Sequence, residues 1–276
     1  MKNGRKSEKE ALITCVANNK GGVGKTTTAV NLACALQALQ NKVLLVDLDP
    51  QGNCAYALGL EPYEDVYTIG DVFAGTCELV DAIIRTKYVD IIPNNLYTYK
   101  KVSPNTAHSR LSEIFRNNQD MLEYYDHIII DTPPSIETMT LNAALASDIF
   151  LLVTEYSKFS MIGIKILMDV LDDFGGLDVK NKLKIMPRPI LFTMYDSRIR
   201  LNKLVEKNIS ESNTGVIMAE RITRTTKVQE SFFEGVPAVM RANNPAGKGY
   251  RELAIQWDIA KKTKILHGKT QTIGIL

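Results

Sequence analysis

The sequence lacks the features that mark membrane-spanning and secreted proteins. Its 276 residues contain no apolar run of about 18 residues, so no transmembrane helix is predicted. The first residues, MKNGRKSEKEALIT, are charged and have no apolar centre, which is not the pattern of a secretory signal. We therefore expect a cytoplasmic protein.

Cysteine and histidine are scarce, and their spacing argues against disulfide and metal frameworks. The four cysteines are Cys15, Cys34, Cys54 and Cys77, and no two of them have C-x-x-C spacing. The three histidines are scattered along the chain, so a histidine-based metal site is not expected. Reduced thiols in a cytosolic protein are the simplest interpretation.

The net charge of +2 conceals an uneven distribution of charge. Residues 180–276 contain 18 lysines and arginines against 8 aspartates and glutamates, a net charge of +10. Residues 1–179 contain 15 and 23 of these, a net charge of −8. A basic C-terminal third favours a polyanionic partner, although a solvated basic surface without a partner would have the same composition.

Short apolar segments alternate with segments of helical spacing along the whole chain. The predicted strands cover 11–18, 42–50, 88–93, 125–134, 147–155, 188–196 and 214–222. The predicted helices cover 27–40, 105–122, 160–174, 200–212, 227–235 and 246–264, with short helices between 53 and 86. This alternation predicts an α/β fold, a doubly wound and mostly parallel sheet with helices on both faces.

The chain shows no internal repeat and no low-complexity linker that would divide it into domains. We therefore expect a single domain over residues 11–265, preceded by a short basic arm at 1–10 and followed by a tail at 266–276.

A glycine-rich loop, NNKGGVGKTTTAVNL at 18–32, stands between the first predicted strand and helix. Its second half fits the phosphate-binding pattern Gly-x-x-x-x-Gly-Lys-Ser/Thr, but Asn19 occupies the position of the first glycine. Backbone N–H groups of such a loop and the helix N-terminus would hold the phosphates of ATP. The predicted nucleotide-binding residues are Lys20, Gly21, Gly22, Val23, Gly24, Lys25, Thr26 and Thr27.

Carboxylates follow two of the predicted strands. Asp131 ends the run HIIID, and with the Thr26 hydroxyl it is our candidate for holding Mg²⁺, usually through water. Asp47 and Asp49 are two residues apart, so an extended strand would give them one face, and one of them would position the attacking water. The alternatives are that Asp131 caps the helix after the two prolines, and that Asp47 and Asp49 cap a turn.

Three motifs together, KGGVGKTT, VLLVDLDPQGN and YDHIIIDTPPS, resemble those of the ParA/Soj-like partition ATPases, a deviant-Walker-A group that also includes MinD. The resemblance covers residues 10–260 and keeps the order and spacing of the motifs. It implies a P-loop ATPase in which two subunits sandwich two ATP molecules. Lys20 would reach the partner's phosphates and Lys25 those of its own subunit, with Asp49 acting in hydrolysis and Asp47 near the metal and water.

The same resemblance implies binding to double-stranded DNA without sequence preference. Arg198 in TMYDSRIR matches one DNA-binding position, and Lys227 stands where the family often has arginine, three residues after Arg224. Lysine at this position keeps the positive charge but lacks the forked N–H donors of the arginine guanidinium. The family's adenine loop often reads Pro-Arg-Asn, whereas here it is Thr223-Arg224-Thr225, and Thr225 is our candidate nucleotide contact.

We therefore expect an ATPase that partitions DNA. It would dimerise with MgATP, bind nucleoid DNA, and leave it after hydrolysis stimulated by a ParB-like centromere-binding protein. A nucleotide-gated DNA-binding regulator stays open as an alternative.

A membrane-associated ATPase of the MinD type is the other alternative, and it would need an amphipathic C-terminal helix. Gly268 and Gly274 interrupt this segment, so membrane targeting is not expected. An iron–sulfur reductase is not expected either, because no cysteine follows residue 77.

Overall fold

The computed structural model describes residues 10–61, 65–103, 105–174, 179–180, 182–183, 186–211 and 218–267. Most of the expected basic arm, residues 1–9, and most of the expected tail, residues 268–276, lie outside the described residues. The last helix continues through residue 267, two residues past the domain boundary expected at 265.

One sheet of eight strands forms the centre of the described chain. The strands are β1 Leu12–Ala17, β2 Val43–Asp47, β3 Ile84–Arg85, β4 Asp90–Ile92, β5 His127–Asp131, β6 Ile149–Glu155, β7 Ile190–Tyr195 and β8 Met218–Thr223. Their order across the sheet is β3-β4-β2-β5-β1-β6-β7-β8. Every pairing is parallel except that of β3 with β4. The prediction of a mostly parallel, doubly wound sheet is confirmed.

Eleven helices whose bounds lie within the described residues accompany the sheet. They are α1 Lys25–Ala38, α2 Asn53–Ala57, α3 Ile69–Ala74, α4 Leu96–Tyr99, α5 Arg110–Asn117, α6 Gln119–Leu122, α7 Thr138–Ala146, α8 Lys158–Asp173, α9 Arg200–Glu211, α10 Lys227–Phe233 and α11 Pro245–His267. Short 3-10 turns occupy Leu79–Ala82 and Ala238–Met240. In the described part of the chain no helix combines the length and the apolar character that crossing a membrane requires.

Both faces of the sheet are buried, and the strand pleat divides the core in two. Leu44 and Val46 of β2 belong to the core beneath α3, α5, α7 and α8. Val43 and Leu45 belong to the core beneath α1 and α11, which contains the fully buried Trp257. Because alternate residues face opposite cores, the strands are apolar throughout, as is usual for parallel sheets covered on both sides.

Two local predictions were wrong. The single helix expected at 105–122 is two helices, because Asn118 leaves the helical conformation between α5 and α6 and its side-chain amide donates to the Ile114 carbonyl at 2.9 Å. Such local side-chain bonds compete with helix continuation. The edge strand β3 was missed, since two residues have no periodicity and it forms only by pairing with β4.

Gly59, which follows α2, and Gly235, which follows α10, bring their two segments into close contact. Gly59 and Gly235 have φ of 74° and 61°, a left-handed conformation that favours glycine. A Cβ at Gly235 would lie 2.3 Å from the Gly59 Cα, closer than atoms can approach. The segment after β2 and the segment after β8 are therefore in direct backbone contact.

We expect Gly235→Ala to lower the free energy of unfolding by about 2–4 kcal/mol, since it adds a backbone overlap to the left-handed strain. Gly75→Ala is the matched control, because Gly75 has a φ of 72° but open space around a Cβ, and it should cost about 1 kcal/mol. Urea unfolding of both variants measures the difference. Equal losses would contradict the close approach.

Candidate functional site

The glycine-rich loop joins the central strand β1 to the N-terminus of α1. Gly22 and Gly24 have φ of 75° and 90°, and Gly24 is the N-cap of α1. The Gly24 cap offers no side-chain acceptor to the first N–H groups of the helix, and the first turn contains no acidic residue. A helix start of this kind presents N–H groups and a partial positive charge to an anion, which suits a phosphate.

Lys25 lies inside the site. Its ammonium is buried and donates to the Lys20 carbonyl at 3.1 Å, which spans the loop. Burial lowers the pKa of Lys25, while the carboxylates of Asp131 and Asp49 oppose that shift. The cation therefore lies between the phosphate-binding loop and the acidic residues.

Lys20, in contrast to Lys25, has its side chain at the protein surface. Its side chain is 49% exposed and forms an ion pair with Glu155 at the end of β6. The Lys20 backbone N–H donates to Asn18 Oδ1 at 2.9 Å, and the Asn18 amide donates to the Val153 carbonyl at 2.7 Å. The loop thus directs one lysine into the site and the other to the surface.

The acidic residues meet at the carboxyl ends of β2 and β5. Asp47 is directly opposite Asp131 in the register of these strands, and both are fully buried. Asp47 accepts backbone N–H bonds from Asp49 at 2.9 Å and Cys54 at 3.1 Å, and burial raises its pKa well above the ordinary range.

Asp49 lies in the turn that follows β2, because the strand ends at Asp47, and the shared strand face expected from the sequence is not observed. Its carboxylate accepts the Gln51 N–H at 2.9 Å. Both side chains thus make the turn-capping bonds of the alternative interpretation, and of the two carboxylates it is Asp49 that acts electrostatically on Lys25.

Asp131 has a donor set that fits Mg²⁺. Its Oδ2 accepts from the Cys54 thiol at 3.4 Å, while its Oδ1 is buried with no hydrogen-bond partner among the described residues. Burial raises the pKa of Asp131 to about 6, although the Thr26 hydroxyl acts to lower that pKa. The helix after the prolines has its N-cap at Glu137, so Asp131 is not that cap. A buried carboxylate oxygen without a donor, beside a threonine hydroxyl, is an oxygen site for a hard cation.

A cavity of about 450 Å³ opens beside Gly24 and Thr27 of the loop. Its size lies in the range of small-ligand sites. The described residues that line it are Gly24, Thr27, Thr193, Met194, Ile222, Thr223, Arg224, Thr225, Thr226, Val228, Gln229 and Tyr250. Thr225, expected from the sequence to contact the nucleotide, is among them. A nucleoside attached to phosphates in the loop could enter this cavity.

Among these lining residues, sequence reasoning had singled out Gly24, Thr27, Thr225 and, as a DNA contact, Arg224. It missed others, including Met194, Val228, Gln229 and Tyr250. Met194 adopts a φ of 55° at the end of β7, and the Tyr250 hydroxyl lies 3.2 Å from the Thr28 hydroxyl. They come from β7, α10 and α11, so no motif in the sequence joins them. Only their meeting beside α1 reveals the cavity.

The three predicted DNA contacts lie at the same edge of the sheet. Arg198 follows β7, Arg224 follows β8, and Lys227 begins α10, with the Arg224 N–H donating to the Tyr195 carbonyl at 2.9 Å. All three side chains are exposed, and the Lys227 ammonium donates to the Asn243 carbonyl at 3.2 Å. The adjacent turns after β7 and β8 thus form a basic edge, defined here by Arg198, Arg224 and Lys227.

One acidic residue offsets this basic edge. The Arg198 guanidinium, 87% exposed, makes a forked pair with Asp196 at 2.9 and 2.7 Å. The pair lowers the pKa of Asp196 to about 2, so both groups are charged at neutral pH. Sequence reasoning did not identify Asp196, two residues before Arg198, as the counterion of this arginine.

Comparison with known proteins finds similarity over most of the chain. Residues 11–185 match the model of a family described as an AAA domain. The chain is 32% identical over 248 residues to the chromosome partitioning protein ParA of Caulobacter vibrioides, covering 88% of this chain and 92% of that protein. It is 30% identical over 253 residues to the sporulation initiation inhibitor protein Soj of Bacillus subtilis, covering 91% and 97%.

Among solved structures, the septum site-determining protein MinD of Pyrococcus horikoshii, complexed with Mg-ADP, has the same fold. It superposes with a TM-score of 0.73 at 25% identity, covering 90% of this chain and 96% of that one.

We expect Asp131→Asn to stabilise the nucleotide-free protein in a pH-dependent way. A pKa raised to about 6 in the folded state costs nothing below pH 4, where folded and unfolded chains both bind the proton. Above pH 6 the cost reaches about 3 kcal/mol, at about 1.4 kcal/mol per pKa unit. Urea unfolding at pH 5 and pH 8 should show the larger gain at pH 8. The exposed Asp120→Asn is the control, and a gain that does not depend on pH would contradict the buried charge.

Proposed function

This chain belongs to the family of P-loop partition and positioning ATPases that includes ParA, Soj and MinD, and on that premise we propose that it is a DNA-partitioning ATPase whose active site is completed by a second copy of the chain. The observation that supports this most directly is the opposite placement of the two loop lysines. Lys25 is buried beside the carboxylates, whereas Lys20 is at the surface.

MgATP would bind along the loop and the adjoining cavity. The N–H groups of residues 21–24 and the Lys25 ammonium would hold the phosphates, and the base would lie in the cavity beside Thr225. Thr26 and Asp131 would hold Mg²⁺, which supplies charge stabilisation on the phosphates when bound. Asp49 would orient the attacking water, with Asp47 beside it. The MinD structure with Mg-ADP supports this class of ligand.

A second copy of the chain would supply a further cation, its Lys20 ammonium, to the phosphates. Charge that develops on the transferred phosphoryl group is stabilised by cations placed before the reaction, and one supplied by a partner acts only after assembly. Exposed ion pairs contribute about 0–1 kcal/mol, so the Lys20 ammonium would exchange Glu155 for a partner's phosphate at little cost. Hydrolysis would thereby depend on dimerisation.

The surface next to Lys20 has the composition of a protein contact. Ile162, Ile166 and Val170 are exposed on α8 at intervals of four residues, which places them on one face of the helix. The stripe begins beside the loop, since a Cβ at Gly163 would lie 3.5 Å from Asn19 Oδ1. Contiguous exposed apolar side chains commonly mark interaction sites, and here a second copy is the occupant that the lysine requires.

The basic edge would hold DNA. Phosphate contacts need positive charge rather than a base-reading geometry, so binding would be independent of sequence and sensitive to salt. The protein would then be cytoplasmic and nucleoid-associated, and a ParB-like protein would stimulate ATP hydrolysis. Synergy between DNA and that partner in turnover would separate partition from a nucleotide-gated regulator. A MinD-like membrane role would depend on C-terminal residues outside the described chain.

We expect Lys20→Gln to bind ATP with unchanged affinity and to lose DNA- and partner-stimulated turnover by about 10³-fold, the scale of a cation supplied in trans. Lys25→Gln should instead lose ATP binding, because this cation acts within its own loop. Glu155→Gln is the control for the surface ion pair and should keep turnover. Turnover at the normal rate in Lys20→Gln would rule out the proposed role.

DNA binding should fall below detection in the double variant Arg198→Glu and Lys227→Glu, while ATP binding stays normal. Asp196→Asn should raise DNA affinity, because it removes the counterion of Arg198. Lys262→Glu on α11, outside the basic edge, is the control and should bind normally. Fluorescence anisotropy with random-sequence duplexes over a salt series compares these three variants with the wild type. Unchanged binding by the double variant would move the DNA surface elsewhere.

A further inference from the structure

The acidic site contains one group that ATP hydrolysis does not use, the thiol of Cys54. This side chain is fully buried at the start of α2. Its sulfur lies 3.4 Å from Asp131 Oδ2, and its backbone N–H holds Asp47 Oδ2 at 3.1 Å. One ligand atom from each of Asp47, Cys54 and Asp131 lies within 4.8 Å of the others.

An independent observation points to a ligand among these three side chains. Asp131 is fully buried, yet its Oδ1 has no hydrogen-bond partner in the described part of the chain. Buried carboxylate oxygens are normally bonded, because an unmet one keeps its full desolvation cost. Mg²⁺ would satisfy this oxygen, but Mg²⁺ binds oxygen ligands and would not use the adjacent sulfur, whose thiol donates to the other carboxylate oxygen of Asp131.

We propose that Asp47, Cys54 and Asp131 form a binding site for a thiophilic divalent cation of the zinc class, distinct in chemistry from the Mg²⁺ that accompanies ATP. A tetrahedral zinc with bonds of about 2.3 Å to sulfur and about 2.0 Å to oxygen sets its ligand atoms about 3.5 Å apart. The separation between Cys54 Sγ and Asp131 Oδ2 is 3.4 Å.

The charges of the site also suit such a cation. On binding, the metal replaces the thiol proton and any proton that the two carboxyl groups hold, these protons pass to solvent, and no electron is transferred. One thiolate and two carboxylates around a divalent ion leave one negative charge. The buried Lys25 ammonium, which already interacts electrostatically with Asp131, offsets it.

Binding of this cation would oppose binding of MgATP. This consequence rests on the proposed function, in which Asp131 holds Mg²⁺, whereas the cation site itself does not. A zinc-class ion bound to Asp131 would occupy the oxygens that Mg²⁺ needs. The nucleotide-free protein is therefore the form that binds the thiophilic cation.

Cobalt titration of the full, nucleotide-free chain tests the site directly. Co²⁺ is added under a phosphine reductant, which contains no competing thiol, and absorption is recorded. We expect one equivalent to give a thiolate-to-cobalt charge-transfer band that Zn²⁺ abolishes. Cys54→Ser should lose the band, and Asp131→Asn, which keeps the thiol, should weaken Co²⁺ binding at least tenfold.

Cys77→Ser is the matched control, because Cys77 is the more exposed thiol and lies outside the cluster. It should keep the band. The proposal is overturned if wild type shows no band, if Cys54→Ser retains it, or if Cys77→Ser loses it. Retained ATP binding by Cys54→Ser shows that the loss of the band does not come from unfolding.

Added MgATP separates this inference from the proposed function. We expect MgATP to raise the Co²⁺ concentration needed for half-saturation of the band. A band that MgATP leaves unchanged would support the cation site and contradict Asp131 as the Mg²⁺ ligand.

Discussion

Two buried carboxylates placed side by side impose the main constraint on this molecule. The register of β2 and β5 sets Asp47 opposite Asp131 where neither meets solvent. Burial raises the pKa of both carboxyl groups, and repulsion from Asp131 raises that of Asp47 further. The rest of the site offsets that repulsion through the Lys25 ammonium and the backbone N–H groups of Asp49 and Cys54. Two adjacent buried carboxylates arranged in this way favour the binding of cations.

Under the proposed function, the same constraint gives a reason for the second lysine of the loop. The Lys25 ammonium already interacts electrostatically with Asp131 and Asp49 of its own chain, so alone it would not balance the further charge of a triphosphate. The Lys20 side chain lies at the surface, where it forms an ion pair with Glu155. In the proposed function, the different positions of the two lysines would link the register of the sheet to dimerisation, and dimerisation to DNA binding.

Local patterns in the sequence predicted the sheet and the positions of the loop and acidic residues, because each motif follows a strand whose apolar run is clear. Features formed between distant segments were not predictable. The cavity side chains Met194 and Tyr250 come from different elements, the ion pair of Arg198 with Asp196 depends on a turn, and the edge strand β3 depends on pairing. A role for Cys54 could be inferred only from its contact with Asp131, which the sequence does not show.

The claim that each site is completed by a second copy is tested most directly by mixing two inactive variants. Lys20→Gln keeps Asp49 but lacks the lysine for its partner, and Asp49→Asn has the reverse defect. If Lys20 acts across the dimer, an equal mixture contains mixed dimers with one intact site, and turnover should return to about a quarter of the wild-type rate. Turnover no higher than that of the separate variants would contradict the account.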